Sequence, residues 1–251
     1  MSGHSKWASI KHKKAATDSK RGKVFTKLIK EITIAARHGG GKTDANPRLR
    51  LAIQRAKQAN MPADNIDRAI KKGTGELEGV NYEEIVYEGY AAAGVAIYIE
   101  VVTDNKNRIT SEVRNIFSKY GGNMAGAGSV AWMFEKKGYF AVSKSTISED
   151  ALMAIALDSG AEDFSVEEEV FEIKTMPQDF EKVKKALEDN SVKIESSEIT
   201  MIPKSTIKVG GDKAKQILTL VDILEDNDDV QNVYTNFDIP EDILKELESK
   251  G

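Results

Sequence analysis

The chain has 251 residues, 40% of them hydrophobic and 30% charged, so it is long enough for two or three domains with cores of ordinary size. The absence of cysteine excludes disulfides, thiolate zinc sites and a thiol nucleophile. Met1–Lys14 lacks the apolar run of a signal peptide, and no segment approaches the roughly 18–20 apolar residues of a membrane span. We therefore expect a cytoplasmic protein.

The formal net charge of −4 conceals two segments of opposite charge. Residues 1–78 contain 18 Lys and Arg against 7 Asp and Glu, a net charge of +11, whereas residues 79–251 contain 18 and 33, a net charge of −15. This asymmetry favours a polyanionic partner held by the N-terminal segment. Nucleic acid fits because Lys and Arg that neutralise phosphates release condensed counterions. A membrane does not fit, since the basic arm offers only Trp7 and Ile10 for insertion.

The positive charge is concentrated in residues 1–30, which hold nine Lys or Arg against the single acid Asp18. Trp7 has no apolar stripe to join; it either packs on the neighbouring helices or stacks on an exposed base, a contact worth about 1–3 kcal/mol. His4 and His12 lie among the cations, where an imidazole can stack on a base, donate to a phosphate or stay idle. In this region we predict that nucleic acid contacts His4, Lys6, Trp7, Lys11, His12, Lys13, Lys14, Lys20, Arg21 and Lys23.

Three short amphipathic helices are predicted to form a bundle behind this arm. Apolar residues recur at helical spacing between Phe25 and Ala36 and indicate the first helix. Asn46-Pro47 supply an N-cap and a first-turn proline for the second helix. Pro62 opens the third helix, and Gly73 is its predicted stop. The second helix adds three cations to the predicted nucleic-acid contacts: Arg48, Arg50 and Arg55.

From Tyr82 the pattern becomes that of an α+β protein. Strands are predicted at Glu84–Tyr87, Val95–Val102 and Val130–Phe134, with a helix from Lys106 to Tyr120. Residues 138–202 then show the strand and helix order βαββαβ, which is typical of a ferredoxin-like unit. A strand, a helix and a strand follow, and they are expected to rejoin the sheet that begins at Glu84.

The predicted fold class is therefore α+β multidomain: an N-terminal three-helix bundle plus two α+β domains, one ferredoxin-like and inserted into the other. The expected domains are a basic arm and helical bundle, a discontinuous α+β domain and an inserted ferredoxin-like domain. Their boundaries are residues 1–78, residues 79–136 plus 203–251, and residues 137–202.

An uncharged, glycine-rich stretch covers residues 121–128. It follows a helix and precedes a strand, the reverse of the order in a dinucleotide-binding fingerprint. A flexible loop is the simple interpretation, but closely spaced glycines also let a backbone approach another surface. The candidate contact residues of this loop are Gly121, Gly122, Asn123, Met124 and Gly126.

Catalytic and metal motifs are weak in this chain. The three histidines are too scattered for a zinc site, and Gly39–Thr43 lacks the first glycine and the preceding strand of a P-loop. Helix capping explains the polar residues at Asp104–Asn107. We therefore expect no enzyme, metal, cofactor or small-molecule substrate. Two alternatives stay open: a protein-interaction scaffold, and a metal-dependent hydrolase that uses the Asp104–Arg108 turn and the glycine-rich loop.

The opening segment Met1–Lys14, MSGHSKWASIKHKK, resembles the signature of the YebC/PmpR family. The resemblance covers essentially the whole chain, and its main departure is Ala91–Gly94, where members more often have a proline. Further matching segments are Asp18–Phe25, Asn46–Arg50, Ala59–Pro62, Ala69–Gly73, Tyr87–Tyr90, Thr103–Arg108 and Gly121–Asn123.

This resemblance implies three domains, namely a helical N-terminal bundle and two α+β domains, one of which interrupts the other. It also implies two kinds of function. Bacterial members carry the label of DNA-binding transcriptional regulators. Others, including the mitochondrial translational activator of cytochrome oxidase, resemble ribosome-associated factors that help the synthesis of difficult, proline-rich stretches. Because no Arg-rich presequence precedes the signature, the chain resembles the bacterial cytoplasmic members.

We accordingly expect a non-enzymatic, nucleic-acid-binding regulator of gene expression, with either ribosomal RNA or promoter DNA as its partner. The helix Arg48–Gln58 presents Arg and Gln side chains of the kind that read base edges in duplex DNA. The irregular Lys, Gly and Trp arm is more typical of extensions that thread into folded RNA. Residue chemistry favours RNA and the ribosome, whereas the bacterial family label favours DNA.

Overall fold

The computed structural model describes residues 18–167 and 170–238, without the side chains of residues 18–21. The N-terminal part forms three helices: α1 (Asp18–Gly39), α2 (Pro47–Gln58) and α3 (Ala63–Thr74). Their apolar stripes meet in one core that includes Ile32, Leu49 and Ala69. The predicted helical bundle is confirmed.

The ends of α2 and α3 show which local signals the helices use. Asn46 caps α2, since its Oδ1 accepts a hydrogen bond from the backbone N–H of Leu49 at 3.0 Å. The prediction that Gly73 ends α3 was wrong, because the helix continues and Gly75 is its C-cap, at φ 83°. Gly73 instead lies where α3 crosses α1. A Cβ at this position would stand 2.4 Å from the carbonyl oxygen of Thr33, so glycine permits the close approach of the two helices.

The rest of the described chain alternates strands and helices. The first group is β1 (Glu83–Tyr90), β2 (Ala96–Thr103), α4 (Lys106–Lys119) and β3 (Asn123–Ala125). The second group is β4 (Phe134–Ser143), α5 (Glu149–Ser159), β5 (Ala161–Val166), β6 (Val170–Thr175), α6 (Phe180–Asp189) and β7 (Ile194–Pro203). The last group is β8 (Ile207–Lys208), α7 (Gly211–Asp226), β9 (Val230–Thr235) and β10 (Phe237–Asp238).

One antiparallel sheet has the strand order β3-β1-β2-β9. Residues Ile97 and Ile99 of β2 pack against Phe117 of α4 and Leu220 of α7 in a shared core. Because β9 pairs with β2, the last part of the described chain returns to the sheet that β1 begins, as predicted. Strands β8 and β10 form a separate parallel pair.

A second antiparallel sheet has the order β5-β6-β4-β7, which is the ferredoxin-like arrangement for six elements in the order βαββαβ. Its core joins α5 and α6 to the sheet, and the rings of Phe140 and Phe180 stack with centroids 4.7 Å apart. The predicted α+β fold class is confirmed. Trp132–Thr206 form one compact unit, and the other described residues form a second unit. The division into three domains stays a prediction.

The strand predicted at Val130–Phe134 was wrong. Val130 belongs to a loop, residues 131–133 form a 3-10 turn, and strand β4 begins at Phe134. Val130 and Phe134 are both buried, which explains the apolar run. The backbone N–H groups of Val130 and Ala131 donate to the carboxylate of Glu88 and not to a neighbouring strand. Val130 and Phe134 are apolar because they are buried, and the apolar run therefore predicted a strand at residues 130–133, where no strand pairing occurs.

Candidate nucleic-acid interface

The predicted arm lies outside the described residues. This applies to His4, Lys6, Trp7, Lys11, His12, Lys13 and Lys14, whose assignment stays a prediction. Lys20 and Arg21 lie within the backbone of α1, but their side chains are not described. The described part of the predicted interface therefore begins at Lys23.

Lys23 contacts an acidic side chain of the same protein. Its Nζ lies 2.6 Å from Oδ2 of Asp226 and also donates to the carbonyl of Asp226 at 3.2 Å. Asp226 is the last residue of α7, where cations are favoured by the exposed carbonyl groups of the helix end. Lys23 thus joins α1 to α7 in this structure.

Arg48 forms a clamp between two acidic residues. Its guanidinium reaches Glu31 of α1 with Nε–Oε1 at 2.8 Å and Nη2–Oε2 at 3.1 Å. It also reaches Glu84 of β1 with Nη2–Oε1 at 2.5 Å and Nη1–Oε2 at 3.1 Å. Partial burial disfavours the charged form of the guanidinium. The hydrogen bonds with Glu84 and Glu31 have the larger combined effect and raise the pKa of Arg48. This residue links α1, α2 and β1, so its donors are already engaged.

The other predicted arginines of α2 are less exposed than the sequence suggested. Arg50 is half-buried and donates from Nη1 to the carbonyl of Thr43 at 3.1 Å, which stabilises the loop before α2. Arg55 is half-buried as well. The structure therefore does not bring Arg48, Arg50 and Arg55 together as a row of freely available base-reading donors.

Exposed cations of the bundle were not among the predicted site residues. They lie on the sides of the helices and loops away from the apolar stripes, and no ion-pair partner is found for them within residues 18–167 and 170–238. Helical periodicity was a sufficient signal for the exposure of the three that lie in helices. They are Lys42, Lys57, Arg68 and Lys72.

The glycine-rich stretch is more ordered than a flexible loop. Asn123–Ala125 form the edge strand β3, in which Met124 pairs with Gly89. Gly122 is required by packing, since a Cβ there would lie 2.7 Å from the Phe117 ring. Gly121 adopts φ 74°, a left-handed conformation that favours glycine. Gly121, Asn123 and the turn Gly126–Gly128 are exposed, and none of them carries a charge.

Glu88, a residue that the sequence reasoning did not single out, stabilises this turn through hydrogen bonds to its carboxylate. Only 5% of Glu88 is exposed. Its Oε1 accepts from the N–H of Gly128 at 2.6 Å, and its Oε2 accepts from Val130 at 2.6 Å and Ala131 at 2.8 Å. Burial opposes ionisation, but these three backbone donors prevail and lower the pKa of the Glu88 carboxyl. An isolated Glu in a strand gives no sequence signal for this role.

The polar turn after β2 serves as a helix cap and an ion pair. Asn105 caps α4 by accepting from the N–H of Arg108 at 3.0 Å, as predicted. Arg108 in turn donates to Asp104 at 2.7 Å. Within residues 18–167 and 170–238, no group of three or more His, Asp or Glu is placed to hold a metal ion. No helix in the same ranges is long and apolar enough to cross a membrane.

Two family models match this chain. Residues 5–76 match the model described as TACO1/YebC protein N-terminal domain. Residues 82–237 match the model described as TACO1/YebC second and third domain.

Curated relatives match along nearly their full length. A protein of Desulfatibacillum aliphaticivorans is 58% identical over 98% of this chain and 100% of its own. A protein of Geobacter sulfurreducens is 57% identical with the same coverage. Both carry the name probable transcriptional regulatory protein. The crystal structure of a conserved hypothetical protein from Aquifex aeolicus is similar with a TM-score of 0.80 and 50% identity, covering 90% of this chain and 94% of that chain.

Proposed function

The chain belongs to the TACO1/YebC family, and on this basis we propose that it is a non-enzymatic regulator of gene expression that binds nucleic acid through residues 1–78. The observation that carries the proposal is the net charge of +11 on this segment, next to a remainder of −15. A regulatory role in general agrees with the names of the curated relatives. The proposal requires the cytoplasm, where ribosomal RNA and bacterial promoter DNA are both found.

We favour RNA of the ribosome as the partner. The strongest basic run lies in the arm and contains Trp7, a combination suited to phosphate contacts and to stacking on unpaired bases. The helix that would otherwise read a DNA duplex, α2, has Arg48 engaged with Glu31 and Glu84. A duplex reader normally needs such donors free to reach base edges.

Promoter DNA is the second candidate, and the names of the curated relatives favour it. The exposed Lys57 and Gln58 at the end of α2 leave this helix some capacity for groove or phosphate contacts. In-cell UV crosslinking of the tagged protein separates the two candidates. Crosslinks from the arm to ribosomal RNA would support a translation factor, whereas discrete promoter fragments, with ribosomal RNA at background, would support a transcriptional regulator.

Replacing Lys11, Lys13 and Lys14 by Glu tests the arm directly. We expect weaker binding to nucleic acid and a flatter dependence of affinity on salt, because each lost phosphate contact removes about 0.9 from the logarithmic slope on duplex DNA. The measurement is binding over a salt series. The control replaces Lys182, Lys185 and Lys193 by Glu, which are exposed in and after α6 and change the net charge equally. Equal slopes for the two variants would rule out the arm as the contact.

A further inference from the structure

The helical bundle and the sheet β3-β1-β2-β9 have separate hydrophobic cores. The bundle core contains Ile32, Leu49 and Ala69, and the sheet core contains Ile97 and Phe117, with no residue in common. Hydrogen bonds and ion pairs join the two parts. Charged contacts of this kind are weakened by competing ions.

Three lysines of α1 form one side of the junction. Lys23, Lys27 and Lys30 are spaced i, i+4 and i+7, which places them on one face of the helix. We call this set the lysine row. Opposite it lie residues 225–229, the end of α7 and the following turn, which contain Glu225, Asp226, Asp228 and Asp229. We call this segment the acidic ledge.

The lysine row and the acidic ledge make contact along their whole length. Lys23 pairs with Asp226 at 2.6 Å, and Lys27 donates to the carbonyl of Glu225. Lys30 pairs with the carboxylate of Asp229 and donates to the carbonyl of Asp228 at 2.9 Å. The ledge thus presents carboxylate and carbonyl oxygens to three successive ammonium groups, as a run of phosphates would.

The innermost pair of the row is enclosed by further polar groups. Lys30 is 7% exposed and Asp229 is 5% exposed. The second oxygen of Asp229 accepts from Thr103 at 2.8 Å and Arg108 at 2.7 Å. Burial opposes ionisation of Asp229, but the hydrogen bonds from Lys30, Arg108 and Thr103 prevail and lower its pKa. When the row leaves the ledge, Asp229 keeps Arg108 and Thr103 as partners.

The chain between the bundle and the sheet is exposed. Every residue from Thr74 to Asn81 is exposed, and Gly75 has the positive φ of a helix C-cap. Arg37 donates to the carbonyls of Val80 at 3.3 Å and Tyr82 at 3.2 Å, and Arg48 reaches Glu84. This connection adds polar contacts and no apolar core of its own, so it can act as a hinge.

We propose that the lysine row is a polyanion-binding surface that the acidic ledge occupies in this structure, and that the phosphates of a nucleic acid compete with the ledge for it. This inference rests on the proposed function, because the arm brings the nucleic acid to the start of α1. A nucleic acid shifts the equilibrium only by binding the released row better than the docked one. The released row should bind phosphates more tightly than the docked row, because release frees three cations next to the arm.

The first test weakens the ledge without touching the row. Asp226→Asn removes one carboxylate from the acidic ledge. Asp212→Asn removes an exposed carboxylate from the other end of α7, which is not part of the ledge. Each substitution removes one negative charge, so the two variants have the same net charge. The probe is a fluorescent 30-nucleotide poly(U) RNA. We expect Asp226→Asn to bind about two- to fivefold more tightly than Asp212→Asn, the range of an exposed ion pair. Equal affinities would overturn the proposal.

The second test measures the release of the bundle. Because the chain has no cysteine, Gln58→Cys in α2 and Asn115→Cys in α4 place two spin labels at exposed positions on the two sides of the junction. Pulsed electron spin resonance gives the distance distribution with and without the RNA. We expect the RNA to create a second population at longer distance, and to create more of it in Asp226→Asn.

The outcomes separate this inference from the proposed function. RNA binding with an unchanged distance distribution would leave the arm as the contact and overturn the competition for the lysine row. Failure of the unmodified protein to bind RNA or duplex DNA would overturn the proposed function and the inference with it. If the RNA creates a larger longer-distance population in Asp226→Asn than in Asp212→Asn, the result would support both the proposed function and this inference.

Discussion

Glu88 and Arg48 show how single charged residues are used inside the fold. Glu88 is almost fully buried and receives three backbone donors from the turn after β3. Arg48 donates to two carboxylates on neighbouring elements. In both cases a charge that sequence reasoning would place on a solvated surface satisfies groups of the same protein. Such pairing is what makes a buried or partly buried charge tolerable.

Replacing Glu88 by Gln is expected to destabilise the protein at neutral pH by about 1–3 kcal/mol, because one amide oxygen cannot replace two carboxylate oxygens for three donors. The folded-state pKa of Glu88 lies below its ordinary value of 4.5, so its contribution is present above pH 4.5 and is lost as pH falls through the lowered pKa. The difference between wild type and variant in urea unfolding should therefore shrink in acid. Glu83→Gln, exposed on the same strand, is the control. A difference that is independent of pH would contradict this role.

Arg48→Gln is expected to lower the free energy of unfolding by about 1 kcal/mol, the upper range for a partly exposed ion pair, and to leave the salt slope of nucleic-acid binding unchanged. Lys57→Gln removes the same charge from an exposed position of the same helix and should leave stability within about 0.5 kcal/mol of wild type. Denaturant unfolding and a salt series of binding measurements check both. Wild-type stability with a reduced slope in Arg48→Gln would instead support the predicted contact of Arg48 with nucleic acid.

At the scale of elements, the crossing of α1 and α3 depends on a residue with no side chain. Gly73 is buried against the carbonyl of Thr33 and the Cβ of Ala36. The contact keeps the apolar stripes of the two helices close enough to share a core. Interiors are packed so densely that even one methyl group is felt at such a position.

Gly73→Ala is expected to destabilise the protein by about 1–3 kcal/mol, because the added Cβ would stand 2.4 Å from the Thr33 oxygen and force the helices apart. The control is Gly22→Ala in α1, where nothing lies within 4 Å of the added atom. Alanine is a better helix former than glycine, so Gly22→Ala should stabilise by roughly 0.5–1 kcal/mol. Denaturant midpoints measure both. Equal stabilisation by the two substitutions would refute the close contact.

At the scale of the whole molecule, the described chain divides into two compact units that share no hydrophobic core. Residues 132–206 bury Phe140 and Phe180, whereas the other unit buries Phe117 and Ile97. Separate cores allow separate unfolding, because each part keeps the apolar contacts that stabilise it.

Phe140→Ala is therefore expected to lose about 3–5 kcal/mol in one unit and to leave the other unit near its wild-type stability. Hydrogen exchange resolved by peptide should show lost protection within residues 132–206. Phe117→Ala, equally buried, should show lost protection in the sheet β3-β1-β2-β9 and in the helices α4 and α7 that share its core. Loss of protection throughout the chain in either variant would mean that the two units unfold as one.

Sequence reasoning succeeded where a local pattern has a local cause. The apolar stripe of α1, the Asn46 cap and the βαββαβ order all follow from contacts between residues near in sequence or from strict periodicity. It failed at Val130–Phe134 and at Gly73. Val130 is buried without forming a strand, and the glycine allows two helices to approach instead of ending one. The candidate site was predicted less completely than the fold. The arm is outside the described residues, and Lys23 and Arg48 are engaged by Asp226, Glu31 and Glu84.

The sequence by itself determined the α+β fold class, the helical bundle and the opposite charges of residues 1–78 and 79–251, because composition and periodicity are properties of the chain. The family was indicated separately, by the resemblance of the opening signature. Only the tertiary structure decided which of those charges are free. It brought Lys30 to Asp229, which is 199 positions away, and the carboxylate of Glu88 to the turn at Gly128. The reason is that ion pairs and hydrogen bonds depend on distances of a few ångströms, which folding sets between residues that no sequence pattern relates.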